Sequence, residues 1–209
     1  MRLLPAIGFL AVIVIATGVI WRLVSKRRQT PCPSWLVPLL ENPYVEALAG
    51  ARTLLDRAAV RPGMRVLDVG CGPGRLTLPL AELVGPVGTV VAIDIQPAML
   101  ERLRDRLAER GIDNVETVLG GVGEGKLSRG GFDRAFLVTV LGEIVDKRRA
   151  LEEIYDLLQP GGVLSITEVF PDPHYQSRKS IRSLAESLGF RLQESFGTWL
   201  AFTLNFRKP

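Results

Sequence analysis

Val66-Leu67-Asp68-Val69-Gly70-Cys71-Gly72-Pro73-Gly74 reads as a buried parallel strand that stops at an acid and breaks into a glycine turn, with a helix opening at Arg75. Glycine takes positive φ without strain and lets a ligand approach closer than any Cβ would permit. This stretch predicts a nucleotide-like ligand at the carboxyl edge of a parallel sheet.

Outward from it, strand and helix patterns alternate. Strands are expected near 64–69, 88–94, 114–119, 132–139 and 163–169, and helices near 74–84, 97–110, 146–158 and 176–188. Such alternation with buried strands means an α/β sheet wound on both faces. Asn42-Pro43 opens a further helix, cap then first-turn proline, running to about Ala59. Pro160-Gly161-Gly162 ends one helix and turns tightly into the next strand. Near the end, two strand-like runs flank Phe196-Gly197-Thr198, a connection short enough to force a hairpin, so the sheet should close on an antiparallel pair.

Five of the 26 bases lie in the first thirty residues, which hold no acid, leaving 21 bases against 22 acids in the remainder. The net charge of +4 therefore belongs to the N-terminal segment. A near-neutral domain argues against a nucleic-acid surface. Cys32 and Cys71 are the only cysteines, and with one histidine they make neither a disulfide framework nor a metal site.

Leu3 to Trp21 is apolar and uncharged, near the minimum length of a membrane-spanning helix. Its Leu, Ile, Val and Phe residues favour insertion by roughly 3–6 kcal/mol in total. Arg22, Lys26, Arg27 and Arg28 follow directly and would hold that end in the cytoplasm. A cleaved signal peptide fits less well, because its charged start is only Met1-Arg2 and no small-x-small site follows. A helix buried against the domain would have no polar face to show. The expected organisation is a single-pass anchor over 1–22, a basic, proline-containing connector over 23–41 and a catalytic domain over 42–209 facing the cytoplasm. Trp35, Leu36, Leu39 and Leu40 would lie on the membrane surface or cover an open face of the domain.

The turn has the spacing G-x-G-x-G, and Arg75 stands where a dinucleotide fold wants a small residue, which disfavours a nicotinamide oxidoreductase. Val90-Val91-Ala92-Ile93-Asp94 places an acid twenty residues beyond Gly74. A carboxylate at that edge can accept both hydroxyls of a ribose, or cap the next helix at Gln96-Pro97. Asp68 would meet a ligand amine through water or hold the amides of the turn.

Val66–Gly74, Asp94, Phe132-Asp133 and Leu158-Gln159-Pro160-Gly161-Gly162, in this order and spacing over roughly 43–206, resemble a class I S-adenosylmethionine-dependent methyltransferase. The resemblance implies a doubly wound, mostly parallel seven-stranded sheet with its last strand antiparallel. It implies that Gly70 and Gly72 bring backbone to the methionine moiety, with Asp68 and Cys71 beside them. It also implies that Asp94 holds the ribose, that Ile95 packs on the adenine, and that the backbone near Leu137 and Val138 floors the pocket. The chain departs from the family after the third strand, where an acid often meets the adenine amino group. Gly120-Gly121-Val122-Gly123-Glu124 stands there, so either the backbone of Gly121 and Val122 reads the base or Glu124 reaches in from a shifted loop.

A sulfonium methyl is already activated, so transfer needs alignment and, for some acceptors, a base. The candidates are Glu143 and, after the fifth strand, Asp172, His174 and Tyr175. His174 is the sole histidine, the residue type suited to accept a proton in catalysis, and a solvent-exposed or helix-capping role competes with a catalytic one. For Glu143 the competing reading is a solvated acid near Asp146 and Lys147. No lid domain interrupts the core elements, so any cover comes from 31–60, next to the membrane. That suits a small amphipathic acceptor such as a lipid head group or quinone precursor. A tethered enzyme for a soluble metabolite and a non-catalytic binding module remain as alternatives.

Overall fold

The computed structural model describes residues 50–170 and 172–209. In chain order the elements are α1 (Ala51–Arg57), β1 (Arg65–Val69), α2 (Thr77–Val84), β2 (Thr89–Asp94), α3 (Pro97–Arg110), β3 (Val115–Leu119) and β4 (Phe132–Val138), then α4 (Lys147–Leu157), β5 (Leu158–Val169), α5 (Arg178–Ser187), β6 (Arg191–Gly197) and β7 (Ala201–Arg207). They form one seven-stranded sheet of order β3-β2-β1-β4-β5-β7-β6. The pairs from β3 to β5 are parallel, and β7 runs antiparallel to both β5 and β6. The expected doubly wound sheet and closing hairpin are both present.

Side-chain alternation sorts the strands between two helical layers. Leu67, Val91, Ile93, Leu137, Leu164, Ile166 and Phe202 pack with Ala150, Leu151 and Ile154 of α4 and Ile181 and Ala185 of α5. Val66, Val90 and Phe136 face Leu54 and Leu55 of α1 and Leu80 and Val84 of α2. Ala92 meets Leu100, Leu103 and Leu107 of α3. Order reverses between β1 and β4, which opens a crevice at their carboxyl ends.

Three boundaries differ from expectation. Regular helix begins at Thr77 rather than beside Arg75, because Gly72 and Gly74 sit at φ +54° and +94° and cannot be helical. β5 starts at Leu158 and carries Pro160-Gly161-Gly162 as an irregularity, with Phe132 opposite Leu158 and Arg134 already opposite Val163. Gly161 and Gly162 stay in the sheet by exchanging hydrogen bonds with Lys208. The hairpin turns over 198–200, after Gly197, since Gly197 packs against the Ala201 carbonyl too closely for any side chain.

Among the described residues no helix is long and apolar enough to cross a membrane. The span expected at 3–21, the connector and the first residues of the helix expected from Asn42 lie outside the described residues.

Candidate functional site

The three glycines of the turn serve two purposes. A Cβ on Gly70 would lie 2.5 Å from a Val140 methyl, and one on Gly74 would lie 2.5 Å from Leu103 Cδ1. Those two glycines permit close packing. A Cβ on Gly72 would meet nothing within 4 Å, so this backbone borders open space. The amides of Gly70 and Cys71 both donate to the Ile93 carbonyl, at 2.8 and 3.2 Å, which ties the turn to the end of β2.

Asp94 ends β2 and is 7% exposed. Its Oδ2 accepts from the Gly72 amide at 2.9 Å and its Oδ1 from the Gln96 amide at 2.8 Å. Thus it holds the turn and the chain entering α3 at once. Burial raises its pKa, against the hydrogen bonds from Gln96, Gly72 and Ile95. Each carboxylate oxygen can accept a second bond, so both remain able to meet vicinal hydroxyls.

Asp68 accepts from Thr77 Oγ1 at 2.7 Å, a side chain one helical start away rather than the amides of the turn. Burial pushes its pKa up to about 7, with the Thr77 bond and the Arg75 charge opposing. The Cys71 side chain belongs to the buried cluster of Leu78, Ala92, Leu100 and Leu103. Burial, then the charges of Asp68 and Asp94, raise its thiol pKa, so it stays a neutral core group. Only its backbone lies in the turn.

Ile95 is 52% exposed, an apolar face presented beside Asp94. A Cβ on Gly121 would lie 3.5 Å from Ile95 Cγ2 and 2.9 Å from Glu124 Oε1. The Glu124 carboxylate therefore folds back over Gly121 next to Ile95. The Val122 side chain is buried in the core against the α4–α5 layer. Leu137 is buried there too, while Val138 packs on the α1–α2 side. These three can meet a ligand through backbone alone. An adenosyl group fits this set: open space at Gly72, a carboxylate at Asp94 and an exposed aliphatic platform at Ile95.

The carboxyl ends of β4 and β5 gather a second group of polar residues. His174 is 6% exposed, and its Nδ1 lies 3.9 Å from Glu143 Oε1, whose side chain is 21% exposed. His174 Nε2 is buried without a hydrogen-bond partner. The His174 amide donates to Asp172 Oδ1 at 2.6 Å. Gly142 packs directly on the His174 backbone, leaving no room for a Cβ. Through Val140 and Gly142 the loop after β4 thus touches both the glycine turn and the histidine loop. Tyr175 directs its hydroxyl to the Trp199 carbonyl at 2.9 Å and stacks edgewise on Phe202, which ties it to the hairpin. Burial raises its pKa.

Three residues escaped the reading of the sequence. Thr77 supports Asp68. Thr139, just past β4, sits at φ +58°, with its amide on the Thr167 carbonyl and its hydroxyl on the Val138 carbonyl. A β-branched residue in the left-handed region is strained, and such strain gathers at ligand-binding edges. Glu168 is 1% exposed on β5, accepts from the Gln176 amide at Oε2, and leaves Oε1 buried without a partner. Its signal was an acid in register with Leu164 and Ile166 on a core-facing strand side. Among the described residues no group of His, Cys, Asp and Glu could hold a metal ion.

The family model described as a methyltransferase domain matches residues 61–199. Nocamycin O-methyltransferase of Saccharothrix syringae is 38% identical over 123 residues, 59% of this chain and 44% of that protein. A ubiquinone/menaquinone biosynthesis C-methyltransferase of Vibrio vulnificus is 33% identical over 151 residues, 72% of this chain and 56% of that protein. The chain spans about half the length of the curated relatives it matches. A crystal structure of an S-adenosylmethionine-dependent methyltransferase from Aquifex aeolicus superposes with a TM-score of 0.78 at 23% identity, covering 86% of this chain and all of that one. The [4+2]-cyclase SpnF superposes with a TM-score of 0.68 at 19% identity, over 76% of this chain and 79% of that one. Both likenesses concern the fold.

Proposed function

Because the chain belongs to the methyltransferase-domain family and carries an S-adenosylmethionine-dependent methyltransferase domain, we propose that it methylates a small hydroxylated ring of the quinone-precursor type. The observation that carries this reading is the His174–Glu143 pair, with Nε2 buried and unpartnered on the loop that packs against Gly142. Relatives named as quinone-biosynthesis C-methyltransferases support the acceptor class.

S-adenosylmethionine supplies an activated methyl group on a sulfonium sulfur. Asp94 binds the ribose hydroxyls, Ile95 covers the adenine, and the open backbone at Gly72 admits the methionine portion. Glu143 across from Nδ1 favours the tautomer with the proton on that nitrogen, which leaves Nε2 a lone pair. Nε2 takes the hydroxyl proton of the acceptor. The resulting phenolate pushes electron density to the ring carbon, which would bond the methyl carbon as the S–CH3 bond breaks and the thioether leaves. That carbon then gives up its proton to solvent and the oxygen takes its own back from Nε2, restoring the phenol. Oxygen is the competing acceptor atom, as in the relative named an O-methyltransferase.

We further propose that residues 3–21 anchor the chain in a membrane with the domain on the cytoplasmic side. Their uncharged apolar run and the bases from Arg22 to Arg28 support this. The test is the full chain with methyl-labelled donor and a prenylated hydroquinone in phospholipid vesicles. Label on a ring carbon, falling when residues 1–30 are removed, is the expected result. Label found only on water-soluble acceptors, with no response to vesicles, overturns the reading.

A further inference from the structure

Glu168 lies on the α4–α5 side of β5, at the edge where that layer stops and the loop 172–176 folds across. That loop is fastened by its own polar groups. The Gln176 amide donates to Glu168 Oε2 at 3.1 Å, and Gln176 Nε2 donates to the His174 carbonyl at 2.7 Å. Two buried polar atoms are left without partners there, Glu168 Oε1 and His174 Nε2. A buried polar group with no hydrogen bond is costly, and orphaned atoms gathered at a site are the places a ligand satisfies.

We propose that Glu168 is an acceptor-binding residue that, with His174, grips two oxygens of one substrate ring. Oε2 already accepts from an amide, so the proton of a neutral carboxyl belongs on Oε1, which becomes a donor. Nε2 offers a lone pair. An acceptor matching both presents one oxygen that receives a hydrogen bond and one hydroxyl that gives one. A hydroquinone or a hydroxy-enone does so, whereas an amine or a thiol does not. The groups facing Glu168 are Glu143 from the loop after β4, Lys147 from α4, and Asp172 and Tyr175 from the loop after β5. His174 is joined to it through Glu143, which lies 3.9 Å from His174 Nδ1, and through Gln176, which bonds both Glu168 and the His174 carbonyl. Phe202 of β7 lies opposite it in register. Burial above all, with Asp172 and Glu143 nearby, pushes the carboxyl up to about 8 against the Gln176 bond and Lys147. Glu168 is therefore mostly the neutral acid at pH 7, in keeping with a donor role.

This inference rests on the hydroxylated-ring reading above. Its test is steady-state kinetics of the full chain, its E168A and its E168Q variants, with S-adenosylmethionine and a short-chain prenyl hydroquinone under argon between pH 6 and 9.5. E168A should raise the KM for the hydroquinone roughly ten- to hundredfold, leaving the KM for the methyl donor in place. E168Q, which keeps a donor but cannot ionise, should recover most of that loss. The wild-type kcat/KM should fall above pH 8, and E168Q should lack that fall. Equal impairment of both variants, an E168A value within twofold of wild type, or an alkaline fall that persists in E168Q each overturns the inference while the ring reading stands. If E168A does not fold, the E168Q pH profile alone decides. A wild-type chain inert toward the hydroquinone overturns the ring reading, and the inference with it.

Discussion

The Gly72 amide donates to Asp94 Oδ2 at 2.9 Å, so the acid at the end of β2 grips the glycine turn at the end of β1. One carboxylate thus shapes the turn and keeps lone pairs free for the ribose contact proposed above. D94A should lower affinity for S-adenosylmethionine roughly ten- to hundredfold, as loss of a charged acceptor costs about 1.5–3 kcal/mol. D94N should lose less at the turn, since its carbonyl still accepts one amide. Isothermal calorimetry checks both.

G70A and G72A should fail in different ways. The added methyl on Gly70 collides with Val140, so G70A should lose about 2 kcal/mol or more of stability, partly recovered by V140A. G72A meets open space, so its stability cost is the left-handed backbone alone, about 1 kcal/mol, while its methyl occupies the cofactor's approach. Denaturant midpoints and donor affinity, measured on the same samples, separate the two.

Glu168 should make stability depend on pH. Its folded pKa of about 8 exceeds its ordinary value of 4.5, so the folded state keeps a proton that the unfolded chain releases. Its contribution is fully present below about pH 4.5 and is lost as pH rises through about 8. E168Q has no such loss. The difference in Tm between E168Q and wild type should grow in favour of E168Q from pH 5 to pH 8.5, followed by scanning calorimetry.

H174A should reduce kcat about a hundredfold or more, the usual weight of a positioned base, with donor affinity intact. E143Q keeps the shape but removes the charge facing Nδ1, so about tenfold is expected. An H174A/E143Q double variant no slower than H174A alone would show that the pair acts together.

The strands near Arg65, Thr89, Val115 and Phe132 were legible within a residue because each is a short apolar run bounded by turn residues. Asp94 was legible because twenty residues separate it from Gly74, one strand-helix-strand step. The start of β5 was not, since Pro160-Gly161-Gly162 reads locally as a turn and becomes strand only when Lys208 pairs with it. Cys71 read as a ligand contact because it lies inside the turn, yet the turn between Gly70 and Gly72 directs its side chain into the core. Glu168 escaped the reading, since its one local mark, register with Leu164 and Ile166, says which layer it enters but not what it meets there.

Sequence alone therefore determined the donor side of this protein. Strand, turn and acid lie close along the chain there, and glycine spacing with β alternation dictates their geometry locally. The acceptor side was decided by tertiary structure. Glu143, Glu168 and His174 stand on three separate segments, and only the β1-β4-β5 order brings their loops to one edge. Whether His174 is a solvated loop residue or a buried base depends on the packing of Gly142 beneath it and on the loop fastened over Glu168. Those contacts join residues more than thirty positions apart in the one case and eight in the other, beyond the reach of any local pattern.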